Sequence, residues 1–226
     1  MLKAGAIPNI VAKFCVMLTA ITPAFLHSSL ANAHEPKLQI RPNAKVYIKP
    51  EYRNRIIQNR RYAALPDRAI FLQTDKRWAH KTIGGSNETI KDDGCLVTAV
   101  AMALVNLGYP TDPGDLATRL KANRGFNSRG WLVWDGIERA TGGHAHAHFF
   151  HDKHDNVVRA CLSQGYYPLV RFDLPSRKST HWVMIVRETA NGFAIRDPLI
   201  KSAQPVLLNT RTKNIHAVRC IGGKPT

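Results

Sequence analysis

The chain has 226 residues and a formal net charge of +16, from 32 Lys and Arg against 16 Asp and Glu. That length allows one domain with an extension and a sizeable core. The charge suits anionic envelope polymers, membrane surfaces or acidic proteins as partners; nucleic acid is not expected, because no RNA- or DNA-binding motif accompanies the charge.

Residues 1–33 read as a signal peptide. Lys3 and Lys13 are the only charges before Glu35, and Phe14 to Leu26 is a largely apolar run of 13 residues, too short to cross a bilayer comfortably. Ala31-Asn32-Ala33 matches the small-x-small pattern for cleavage before His34. Cys15 lies inside the apolar run, which does not suit lipid attachment, so the expectation is an exported protein, periplasmic or secreted, that no longer spans a membrane after cleavage. Three cysteines then remain, Cys95, Cys161 and Cys220. An odd count in an oxidising compartment leaves one thiol over. A Cys161–Cys220 bridge would leave Cys95 free, although the sequence does not fix that pairing.

Residues 34–68 carry nine Lys and Arg against Glu35, Glu51 and Asp67, and four prolines punctuate them. They read as a basic extended arm or linker with a short helix around Tyr52–Tyr62. This arm is the expected contact for an anionic envelope polymer or an acidic protein. The globular domain is expected over 69–226. Ile70 to Gln73 reads as a short strand or extended segment and Gly84 to Asn87 as a turn.

In Lys91–Gly108 the apolar residues Val97, Val100, Ala101, Leu104 and Val105 recur at helical spacing. Asp92 or Asp93 is the expected cap and Gly108 the stop. Cys95 then falls in the first turn, where free N–H groups and the helix dipole favour a thiolate. Asp112-Pro113 opens another helix with Leu116 and Leu120 on one face. A third helix is expected from Trp131 to Ala140, stopped by Gly142-Gly143, with Trp131 and Trp134 packed in the core. His144, His146 and His148 alternate as on one face of a strand. Imidazoles along one strand run parallel rather than converging on a zinc or copper ion, so a polar strand face is expected there and no metal. Asp155 or Asn156 caps a helix running to Gln164.

The remainder reads as an antiparallel sheet: Tyr167–Phe172, His181–Val186, an Asn191-Gly192 turn, Phe193–Arg196, then Val206–Leu208 and Ile215–Ile221. His181 opens one strand and Asp197 closes its hairpin neighbour, so both lie at the same end of the hairpin. If that end faces the Cys95 helix, the three residues form a triad. His181 takes the proton of Cys95, and Asp197 accepts the other ring N–H and fixes the tautomer. The backbone N–H of Cys95 and the side-chain amide of Gln73 are the expected oxyanion donors.

On these residues the chain resembles the papain-like peptidases related to the bacteriocin-processing, double-glycine peptidases, in their stand-alone peptidase-like branch. The resemblance runs from about Phe71 to Pro198. Gln73-x-Asp75-x-x-Trp78 matches the opening motif. Gly94-Cys95 followed by Thr98-Ala99-Val100-Ala101-Met102 matches the nucleophile helix, and His181-Trp-Val-Met-Ile-Val with Asp197-Pro198 matches the His and Asp pair. The resemblance implies an α+β, papain-like cysteine peptidase fold, with an N-terminal helical part whose nucleophile helix packs on a C-terminal antiparallel sheet. It also implies a thiol protease with Cys95 as nucleophile, His181 as base, Asp197 as orienter and Gln73 as oxyanion donor. One departure is Leu96-Val97-Thr98-Ala99, where the family often has Gly-Pro-Thr-Ser after the cysteine. The expectation is therefore an exported cysteine peptidase acting on a peptide or protein through a thioester on Cys95, with no cofactor. A cell-wall peptide amidase or acyltransferase with the same triad, and a catalytically silent envelope binding module, are the alternatives.

Overall fold

The computed structural model describes residues 64–223 apart from 151, 175, 177 and 178. The expected signal peptide, the arm up to residue 63 and the helix at Tyr52–Tyr62 lie outside the described residues. Four helices come first: α1 (Ile90–Asp93), α2 (Cys95–Asn106), α3 (Pro113–Ala122) and α4 (Asp135–Ala140). Strand β1 (Ala145–Phe149), helix α5 (Asp155–Ser163) and strand β2 (Tyr167–Leu174) follow. The chain closes with β3 (Ser179–Thr189), β4 (Gly192–Arg196), β5 (Val206–Leu207) and β6 (Ala217–Gly223). The result is a mixed helix and antiparallel-sheet protein, in which six strands lie in the order β1-β6-β2-β3-β4-β5.

Alternation along β3 splits the core in two. Met184 and Val186 join Val100, Leu104, Leu116 and Ile137 under the helices α2–α4. Val183 and Ile185 face the other way, into a cluster with Val158, Leu162 and Phe172 beneath α5. Cys161 on α5 is bonded to Cys220 on β6 within that second cluster, and Cys95 is the free cysteine among the described residues. No described helix is long and apolar enough to cross a membrane.

Several local expectations are corrected. Ile70 to Leu72 forms no strand; instead the Gln73 N–H donates to the Pro198 carbonyl at 3.0 Å. The helix expected from Trp131 begins only at Asp135, because Leu132 bridges back to Phe126 and Trp131 is 63% exposed rather than packed in the core. His144 precedes β1, so only His146 and His148 share its face. The helix at 155 is preceded by His154 at its cap position. Residues 64–68, at the end of the expected arm, are tied to the domain: the Leu65 N–H reaches the Val186 carbonyl, Asp67 pairs with Arg196, and the Pro66 carbonyl accepts the Tyr167 hydroxyl.

Candidate active site

The segment that presents Cys95 is two helices, not one. Thr89, rather than Asp92 or Asp93, caps α1, its hydroxyl accepting from the Asp92 N–H at 3.3 Å. The chain then breaks at Gly94, where a Cβ would stand 2.4 Å from the Ile90 carbonyl oxygen. Only glycine fits that closeness. Helix α2 restarts at Cys95, which therefore occupies its first position, where N–H groups lack intrahelical acceptors. At the far end Gly108 (φ 89°) follows the last turn. The Tyr109 N–H returns to Leu104 and the Gly108 N–H to Val105, a Schellman closure. Nine of the twelve residues of α2 are buried, which anchors the helix beneath the half-buried Cys95 and Leu96 at its head.

His181 is the third residue of β3 rather than its first, opposite Phe172 on β2. The two rings meet edge-on at 5.6 Å, which fixes the imidazole plane. Asp197 follows the last residue of β4. His181 Nε2 lies 2.7 Å from Asp197 Oδ1, with exposures of 2% and 5%. Burial pulls the His181 pKa down, but the hydrogen bond it donates to Asp197 and its interaction with Cys95 outweigh burial and push it up to about 9. For Asp197, burial raises the pKa; the bond to His181, the Leu199 N–H and the Arg211 charge overcome this and leave it below the usual carboxylate range. At neutral pH the pair is thus an imidazolium against a carboxylate, with Nε2 given to Asp197 and the other ring nitrogen left for the thiol.

Arg211 carries no signal in the sequence. It lies after β5 and outside any motif, yet its Nε donates to Asp197 Oδ2 at 2.9 Å. Gln73 is buried, 1% exposed; its Nε2 donates to the Lys91 carbonyl at 2.8 Å, and its Oε1 has no partner among the described residues. With its backbone N–H on Pro198, Gln73 ties the turn before Cys95 to the loop after Asp197.

Cys95 opens onto a cleft of about 490 Å³, lined among others by Glu88, Leu96, Trp131, Arg171 and Trp182. Trp131, expected in the core, is a wall of this cleft. The described residues contain no cluster of three or more His, Cys, Asp or Glu able to hold a metal ion.

No family model matches the sequence, and no curated protein matches it. Among solved structures the chain is similar to a provisionally assigned C39-like peptidase from Bacillus anthracis. The identity is 13% and the TM-score 0.47, over 73% of this chain and 99% of that one. Likeness of that degree assigns neither a family nor an activity.

Proposed function

We propose that the protein is an exported papain-like cysteine peptidase, released into the periplasm or medium after cleavage before His34, that hydrolyses a peptide or amide bond. The observation that carries this reading is the free Cys95 at the head of α2, near enough to His181 to raise its pKa, with His181 Nε2 held by Asp197. Cys95, whose proton His181 already holds, attacks the carbonyl carbon as a thiolate, so that an S–C bond forms. The oxyanion is met by the Cys95 backbone N–H and the remaining amide N–H of Gln73. His181 protonates the leaving amine as the C–N bond breaks, leaving a thioester. It then takes a proton from water, whose oxygen displaces the thiolate and releases the acid. Asp197 holds the ring throughout and stabilises its cation. The basic arm, residues 34–68, is the contact for an anionic envelope polymer or an acidic protein.

An epoxysuccinyl peptide tests the assignment. Labelling is expected on Cys95 by peptide mapping and lost in Cys95→Ala, with the unfolding midpoint kept. A Cys95 that reacts no faster than a free cysteine in solution overturns the reading.

A further inference from the structure

Beside the thiol, the sheet carries cations that the triad does not use. Arg171 on β2 lines the cleft and pairs across the strands with Trp182, its guanidinium carbon 6.0 Å from that ring. Arg219, on the neighbouring strand β6, stands opposite Leu169, two residues along β2 on the same face. It lies 5.8 Å from the Trp134 ring and 4.9 Å from Phe149. Trp134 in turn meets Trp182 at 5.5 Å. Two guanidiniums thus sit side by side on an aromatic floor.

Neither has a carboxylate counter-ion among the described residues. The acid on that face of β2, Asp173, is 3.0 Å from His216. The Nε atoms of both Arg171 and Arg219 are buried without a hydrogen-bond partner. Burial, and then the charge of Arg171, pull the Arg219 guanidinium below its usual range. Uncompensated like charges so placed cost stability, and an incoming anion removes that cost. Glu88 and Asp93 also line the cleft, and the nearby Asp93 holds the Glu88 carboxyl above the usual range.

We propose that Arg171, backed by Arg219, binds a carboxylate of the substrate in the cleft beside Cys95. The substrate then lies with its anionic group over the sheet, at Arg171 and Trp182, rather than at Glu88 and Asp93. A planar guanidinium with neighbouring aromatic faces suits a carboxylate, which it meets through paired N–H donors. This inference rests on the peptidase reading for its meaning, though not for its test.

The test compares alkylation of Cys95 by iodoacetate and by iodoacetamide; the thiolate displaces iodide from either, and the probes differ in charge. The His181 imidazolium gives a basal preference for iodoacetate. Arg171→Gln is expected to lower the iodoacetate-to-iodoacetamide rate ratio about tenfold, with Arg171→Lys in between and the surface variant Arg119→Gln unchanged. N-acetylalanine and N-acetylaspartate α-amide, as competitors of iodoacetate, tell a terminal from a side-chain carboxylate. In Cys95→Ala, which keeps both arginines, the same acids are titrated by tryptophan fluorescence against Cys95→Ala/Arg171→Gln. A thiol inert to both reagents therefore counts against the nucleophile and leaves the titration to decide the anion site. A ratio unchanged in Arg171→Gln overturns the proposal; with an inert thiol, a titration that does not distinguish the two alanine variants overturns it.

Discussion

Two regions of the molecule are fastened in different ways. Where α5 meets β6, the Cys161–Cys220 bond sits among Val158, Leu162, Val170 and Val218, all buried apolar side chains. At the ends of β3 and β4 the buried groups are polar instead. His181, Asp197 and Arg211 form one chain of charge-assisted contacts, and Arg196 pairs with Asp67 beside it. The first region is stabilised by covalent closure and apolar contact, which have no stake in protonation. The second holds charge away from water, which is costly unless every partner is present, and so it depends on protonation.

Breaking the polar region should show this most sharply. Asp197→Ala leaves a buried imidazolium without its acceptor and Arg211 without its carboxylate, and is expected to cost about 3–5 kcal/mol by urea unfolding, with Cys95 labelling slowed in parallel. Removing the staple acts through the unfolded chain instead. Cys161→Ala/Cys220→Ala frees a loop spanning 59 residues, worth about 4 kcal/mol in the chain-entropy treatment. Whatever remains folded should label at Cys95 at the original rate. A labelling rate that falls with the disulfide would show that the two regions are coupled.

A smaller effect follows from pH. The folded His181 binds its proton more tightly than an ordinary histidine, so its contribution to stability is complete below about 6.5. It is lost as pH rises through about 9. Thermal melts between pH 6 and 10 should show that decline, and His181→Ala should flatten it. Asp197 has the opposite sign: its contribution is present above the ordinary carboxylate pKa and is lost as pH falls through its depressed folded value. The smallest expected effect lies in neither region. Arg119→Gln removes a solvent-exposed pair with Asp115 on α3 and should leave the melting midpoint within experimental error.

Elements specified by local chemistry were legible in the sequence. Asp112 accepts from the Asp115 N–H with Pro113 in the first turn, as the Asp-Pro dipeptide implied. The Asn191-Gly192 turn joins β3 to β4, with Gly192 at φ 112°. The proximity of His181 and Asp197 followed from the hairpin alone. What was not legible depends on distant partners. Asp92 and Asp93 offer the same capping chemistry as Thr89, and only the Gly94 break, forced by the approach to Ile90, decides between them. Trp131 looks like core until the Phe126–Leu132 bridge turns it outward. The pairing of β1 with β6 joins segments some seventy residues apart, and the Arg211 contact with Asp197 reaches back across β5 with no motif to mark it. Arg171 and Arg219 became neighbours only through the strand order.

The short segment from Ala64 to Arg68 limits how the chain can be trimmed. Arg196 is 6% exposed and is gripped by both oxygens of Asp67, at 2.8 and 2.7 Å; it is the residue immediately before Asp197. Truncation anywhere upstream of Ala64 leaves this grip intact. A cut after Asp67 would strand a buried guanidinium one residue from the group that steadies His181. The part of the chain that begins at Ala64 is thus held by the core itself, through a buried ion pair rather than through apolar contact alone.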